Sequence, residues 1–161
     1  MTLTIRLLVA LGLTWAIGFE RELRGAAAGD RTFALIGVGS AVIGYLALDH
    51  APNALAGVVT GIGFIGAGLI VHGALPNRPG APDGADVDAA VDVAAGSGAI
   101  GRIRGVTTAA TIYLAAAVGA AAGQGSLLLA FEATIGCLLL LEVRHLRWLR
   151  FLDGRFWRHR L

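Results

Sequence analysis

Charged and hydroxyl-bearing residues collect in three short segments that border apolar runs of the sequence. The first segment follows Gly18, the second begins at Gly29 and the third begins at Arg104. Carboxylates, arginines and hydroxyls that converge at a membrane surface can form a polar mouth to the interior of a helix bundle, and the carboxylates can bind a cation. The candidate polar residues of the three segments are Glu20, Glu22, Asp30, Arg31, Thr32, Arg104, Thr107 and Thr108.

These residues also have a purely structural interpretation. Glu20 and Arg24 are four residues apart, so they can form an ion pair along one helix face. Asp30 can cap the helix that follows it. Two alternatives therefore stay open. One is a polar mouth at the cytoplasmic membrane surface, with Glu20, Glu22 and Asp30 as metal ligands if there are any. The other is a cluster of salt bridges.

Glu132 is a separate candidate because it lies inside an apolar run. A carboxylate within a membrane is energetically unfavourable and by default indicates a function, with a partner that faces the bundle interior. Arg6 is the nearest predicted partner on the same side of the membrane. The alternative is that the helix begins late and that Glu132 reaches the outer water.

Sequence motifs typical of enzymes are missing or misplaced. Residues Gly61–Gly66 read G-x-G-x-x-G, but a dinucleotide site needs this motif between a strand and a helix, and here apolar sequence continues on both sides. The sequence has no serine elbow and no HExxH, and its one cysteine, Cys137, lies in an apolar run. We therefore expect no enzyme activity and no cofactor from these motifs.

Five apolar runs must position these residues, at about 3–19, 33–48, 55–72, 106–122 and 126–142. The chain is 56% hydrophobic and only 15% charged, against about 25% charged in soluble domains. Each run approaches the roughly 17–25 residues that a spanning helix needs. The sequence therefore predicts an all-α integral membrane protein, with a bundle of about five transmembrane helices over residues 1–142.

The run at 57–72 is predicted to be the central helix of this bundle. Lipid gives apolar helices no hydrophobic reason to associate, so glycine contributes by letting backbones approach. Small residues recur at intervals of four in this run and in the others, which predicts small-xxx-small packing throughout. The packing positions expected in the central helix are Gly57, Gly61, Gly63, Gly66 and Gly68.

The arginines predict the orientation. Apart from Arg6, they lie between the first and second runs, between the third and fourth, or after the fifth. Positively charged loops stay in the cytoplasm. We therefore expect a multi-pass protein of the bacterial inner membrane, with its N-terminus outside, its C-terminus in the cytoplasm and residues 76–102 as a cytoplasmic loop.

Two segments fall outside the predicted helices. The 76–102 loop contains Asp86, Asp88 and Asp92, but it lacks the turn glycine and closing glutamate of an EF-hand, so we expect a solvated loop. Residues 143–161 alternate arginine with tryptophan, leucine and phenylalanine. This pattern is typical of a basic amphipathic tail that binds anionic lipid, and we expect no nucleic-acid binding.

The chain contains four motif segments, in this order: Gly18–Glu22, Gly29–Thr32, Thr60–Gly68 and Arg104–Ala110. In these segments it resembles the MgtC/SapB family of bacterial inner-membrane proteins, which has them in the same order. The resemblance covers roughly residues 3 to 125. Phe33 stands where family members usually have histidine, and the loop before Arg104 is longer than expected. The chain resembles the short, membrane-only members, which lack the soluble C-terminal domain of others.

The resemblance implies a role in growth at low magnesium, and in pathogens in survival inside macrophages. Family members are described either as magnesium transporters or as regulators, including regulators of the membrane ATP synthase. Because the helices are rich in small residues and poor in charge, we expect regulation of another membrane complex through helix contacts. A membrane-protein partner and a homo-oligomer both fit this expectation. The alternative is a transporter or channel for Mg²⁺ or another cation.

Overall fold

The computed structural model of the chain describes residues 2–49, 51, 53–74 and 105–142. The predicted 76–102 loop, the predicted 143–161 tail and Arg104 lie outside the described residues. The described part consists of helices and short turns, which confirms the all-α prediction. The helices are α1 (Leu3–Leu23), α2 (Asp30–Asp49), α3 (Ala54–Ala74), α4 (Val106–Gln124) and α5 (Leu127–Glu142).

Within the described part, three helices are long and apolar enough to cross a membrane, namely α1, α2 and α4, while the apolar stretch of α3 is shorter. Their outward surfaces carry large apolar side chains. Leu35 is 75% exposed, Phe64 81% and Leu128 74%. Such surfaces suit lipid rather than water, since soluble monomers rarely expose large contiguous apolar patches. The coarse prediction of a helical membrane protein is therefore confirmed.

The helix at the centre is α4. It packs against all four of the other described helices, whereas α3 packs only against α2 and α4. Alanine, glycine and threonine occupy most positions of α4, so neighbours can approach from every side. In α3, by contrast, Ile62 and Gly66 are the buried residues among those whose burial is described. The prediction that the glycine-rich run at 57–72 is central is wrong.

The closest helix approach is between α2 and α4. A Cβ atom on Gly119 would overlap the carbonyl oxygen of Gly37, and one on Gly123 would overlap that of Ala41. The two backbones are therefore in direct contact along two turns. Small residues make this contact, as helix association in lipid requires.

The predicted packing glycines of α3 behave differently from these. A Cβ atom on Gly57, Gly61, Gly63 or Gly68 would meet no atom within 4 Å. At Gly66 it would lie 3.3 Å from the Cβ of Ala109 in α4. Only the C-terminal half of α3 therefore touches the bundle through a glycine, and the intramolecular packing expected at the other four positions is not found in the described part.

Candidate functional site

Glu20 lies in the last turn of α1 and is bound by two arginines. Both carboxylate oxygens accept from Arg21, at 2.6 Å from Nε and 2.8 Å from Nη2, and Oε1 also accepts from Arg24 Nε at 2.8 Å. Glu20 and Arg21 are 9% and 8% exposed. Charge-assisted bidentate pairs of this kind are strong and directional. α1 continues to Leu23, past the predicted end at residue 19, and the Glu20–Arg21 pair lies in this last part of the helix.

Arg24 extends this cluster to the end of α5. Its Nη2 donates to Glu142 Oε1 at 2.6 Å. The carboxylate of Glu142, and to a lesser extent that of Glu20, raises the pKa of the Arg24 guanidinium above its ordinary value. Sequence reasoning missed Glu142 as a member of this site. The sequence contains one indication of this contact: Glu142 is the last residue of the fifth apolar run, and this end of the run is predicted to lie at the same membrane surface as Arg24.

Glu22 points into a different site, between α1 and the start of α2. Its Oε2 accepts from the backbone N–H of Asp30 at 3.1 Å and lies against Gly29, where a Cβ atom would overlap it. Asp30 Oδ1 accepts from the backbone N–H of Arg31 at 2.6 Å. These residues and Thr32 line a polar pocket of about 460 Å³.

The three predicted carboxylate ligands thus fall in two places. Glu20 has both oxygens engaged by guanidinium groups, whereas Glu22 and Asp30 share the polar pocket. Among the described residues, no group of three or more histidine, cysteine or carboxylate side chains is placed to hold a metal ion. The two carboxylates of the pocket match the small number that Mg²⁺ uses when it keeps its waters.

The third predicted segment begins α4. Thr107 is exposed and Thr108 is buried, and the carbonyls of both accept from Thr111 Oγ1, at 3.0 Å and 2.9 Å. Gly105 precedes the helix with φ +86°, and a Cβ atom there would lie 3.1 Å from the carbonyl oxygen of Leu69 in α3. The described hydrogen bonds of this segment are local to α4. Its contact with the other two polar segments remains a prediction.

Arg6 is placed at the opposite end of the bundle, on the C-terminus of α4. Its Nη1 donates to the carbonyl of Gly123 at 2.9 Å, and the guanidinium lies 5.9 Å from the centre of the Tyr45 ring. The last carbonyls of a helix carry partial negative charge, so a cation there is stabilising. Within the described part Arg6 does not pair with Glu132, because its guanidinium reaches α4 instead.

A groove of about 450 Å³ runs between α2 and α3. Its walls are almost entirely apolar, and three of the residues that line it are glycines, which place no side chain in the groove. Ser40, which is 4% exposed, lies among them and donates no hydrogen bond within the described residues. The residues that form the groove include Ile36, Gly39, Ser40, Gly57, Val58 and Gly61.

Comparison with known proteins gives consistent relatives over most of the chain. The Escherichia coli K12 protein named "Putative magnesium transporter YhiD" is 36% identical, over 94% of this chain and 65% of its own length. Protein SrpB of Synechococcus elongatus is 34% identical, over 92% and 80%. Protein MgtC of Salmonella typhimurium is 32% identical, over 81% and 47%.

The chain thus spans less than two thirds of the Escherichia coli relative and about half of the Salmonella one. No solved structure matches it. The sequence model of the MgtC family matches residues 7–147, which include all three polar segments and the groove. This confirms the resemblance drawn from the motifs: the chain belongs to the MgtC family.

Proposed function

We propose that this chain is an inner-membrane protein of adaptation to magnesium limitation, and that it regulates another membrane complex through helix contacts. The observation that carries the proposal is the open groove between α2 and α3. The link to magnesium is supported by the name of the Escherichia coli relative. The ATP synthase is our candidate complex, on the strength of the family resemblance.

The groove has the properties that a docking helix needs in lipid. Gly57 and Gly61 leave open space where a side chain would stand, and Gly39 lines the facing wall. A partner backbone can therefore approach closely, which is the main source of helix association in membranes. The Ser40 hydroxyl offers a hydrogen bond to that partner, and such bonds also contribute to association in lipid.

The centre of the bundle is closed by the same kind of contact. α2 and α4 touch backbone to backbone at Gly37 and Gly119, and again at Ala41 and Gly123. The buried hydroxyl of Thr14 donates to the carbonyl of Ala10 at 2.8 Å, within its own helix. This arrangement favours a rigid scaffold that presents its outer surfaces to a partner.

Filling the groove tests this proposal. Gly57→Leu together with Gly61→Leu should leave the protein folded, because both positions face open space, and should abolish its ability to restore growth of a deletion strain at low magnesium. Gly12→Leu is the matched control, since Gly12 also faces open space but lies on α1. Full growth with the filled groove would contradict the proposal.

A second candidate is transport of Mg²⁺, and the polar pocket of Glu22 and Asp30 favours it. Flux of Mg²⁺ into proteoliposomes that is lost in Glu22→Gln and retained in Leu35→Ala would establish transport. Glu22 is the sharper choice than Glu20, because the Glu20 carboxylate is already bound by two arginines. Without such flux from folded protein, regulation remains the better account.

A further inference from the structure

Glu132 occupies an unusual place on the outside of α5. It is the sixth residue of the helix, after five apolar residues, so it lies about 8 Å along the axis from the helix start. Its side chain is exposed and points away from the bundle. Within the described part it forms no ion pair. The outward side of this apolar helix therefore carries a carboxylate.

An outward-facing carboxylate at this depth needs a partner. Ionisable residues within membranes are unfavourable unless they pair, and as a rule they mark functional contacts. The residues around Glu132 on the same side of α5 are large, apolar and outward-facing: Leu128 is 74% exposed, Ile135 56% and Leu139 56%. None of these side chains can satisfy a carboxylate, so the partner must come from outside the described part of the chain.

The backbone beside Glu132 is also open to close approach. Gly136 lies one helical turn after Glu132, and a Cβ atom there would meet no atom within 4 Å. A second helix can lie against Gly136 and bring a side chain within reach of the carboxylate. We call Leu128, Glu132, Ile135, Gly136 and Leu139 the Glu132 face.

Charge complementarity decides what fits this face. Among the described arginines, Arg6 lies at the same end of the bundle, but its guanidinium is held by the carbonyl of Gly123. Arg21 and Arg24 lie near the other end of α5, because Arg24 binds Glu142, ten residues or about 15 Å further along that helix. Arg31 lies at that same end, in the pocket of Glu22 and Asp30. The described part of a second copy therefore offers no exposed arginine at the depth of Glu132, and a different protein is the better match.

We propose that the Glu132 face binds a transmembrane helix of another membrane protein, and that this helix carries an arginine or lysine at the depth of Glu132. The inference rests on the proposed function, because it names the chemistry of the regulated partner. It uses a separate surface, however, since α5 packs on α1 and α4 while the groove lies between α2 and α3.

The test uses the full chain in proteoliposomes, with fluorescence energy transfer to a synthetic helix. The probe is a leucine–alanine helix of about 20 residues with one arginine at matching depth, and the reference probe has leucine there. We expect the arginine probe to associate about five- to thirty-fold more tightly, in line with hydrogen-bonded pairs between helices in lipid. The preference should vanish in Glu132→Leu and persist in Phe131→Leu.

Equal association of the two probes, or a preference that survives in Glu132→Leu, would overturn the inference. So would Glu132-dependent self-association of the protein, because the occupant would then be a second copy. Size-exclusion chromatography verifies that each variant is folded. The growth assay with the filled groove is independent. If the filled groove abolishes growth but the probes bind equally, the proposed function stands and this inference fails. If growth is normal with the filled groove but the arginine probe binds more tightly, the proposed function fails.

Discussion

At the scale of single residues, the main result is that Glu20, near the end of α1, is paired with Arg21 and Arg24. Glu20 is buried, and both of its carboxylate oxygens accept hydrogen bonds from guanidinium groups. Breaking a buried ion pair leaves the remaining charge without compensation, which is far less favourable than losing a surface pair. The cluster is therefore better placed to fix the end of α1 than to exchange a metal ion.

Removing one charge of this cluster should destabilise the protein. Glu20→Gln leaves Arg21 buried without a counter-charge, so we expect a loss of about 3 kcal/mol in the free energy of unfolding. Thermal or denaturant unfolding in detergent measures this loss. Glu22→Gln is the matched control, because Glu22 is exposed and glutamine keeps an oxygen for the N–H of Asp30, so it should lose less than about 1 kcal/mol. Equal losses would show that the Glu20 cluster is not a buried pair.

Arg6 gives a second prediction at this scale. Replacing it with leucine removes the cation and the hydrogen bond at the C-terminus of α4, so we expect unfolding to become easier by about 1–2 kcal/mol. Arg6→Lys keeps the charge and should recover part of the loss. Unfolding in detergent distinguishes the two variants. A leucine variant as stable as the wild type would contradict the capping role.

At the scale of elements, glycine has two different roles in this chain. Gly119 and Gly123 let α4 touch α2, whereas Gly57 and Gly61 keep an outer groove open. The sequence pattern is the same in both helices, because spacing at intervals of four says only that small residues share a face. The packing partner decides which role each face takes.

This difference predicts opposite outcomes for equivalent substitutions. Gly119→Leu should prevent the contact between α2 and α4, since overpacking of a tight contact destabilises by about 1–3 kcal/mol or more. Gly61→Leu should be tolerated. The yield of monodisperse protein in size-exclusion chromatography measures both variants. Normal yield for Gly119→Leu would contradict the packing of α4, and aggregation of Gly61→Leu would contradict the open groove.

At the scale of the whole molecule, the polar groups separate into two ends. The Glu20 cluster and the pocket of Glu22 and Asp30 lie at one end of α1, and Arg6 lies at the other. The arginines at the first end agree with a cytoplasmic surface. Arg6 does not weigh against this orientation, because the C-terminus of α4 stabilises its charge.

The orientation can be tested by labelling. Asn53 is exposed in the turn before α3, and the arginine distribution predicts that this turn lies outside the cell. A cysteine at this position should react with a membrane-impermeant maleimide in intact cells. The wild type is the background control, since its own Cys137 is buried. Labelling that appears only after the cells are opened would reverse the topology.

The sequence by itself determined the helical class, the approximate runs, the polar segments and the family. These features depend on local composition and spacing, which can be read from the apolar runs and from the charged residues that border them. α1 and α2 each extend beyond the predicted apolar runs, because helices also include polar residues at their ends: α1 continues through Glu20 to Leu23, and α2 begins at Asp30.

Tertiary structure alone decided which helix is central, which glycines make contact and how the charges pair. The alanine-rich α4 is central because its small side chains let neighbours approach on every side. Alanine-rich composition also occurs in exposed helices, so the sequence alone does not show that α4 is central. Glu20 pairs with arginines while Glu22, two residues away, faces the pocket, because the two side chains leave α1 in different directions. Likewise Glu132 is outward-facing because α5 turns its other side to α1 and α4. Spacing within one helix fixes which residues share a face, but only the packed neighbours fix what that face meets.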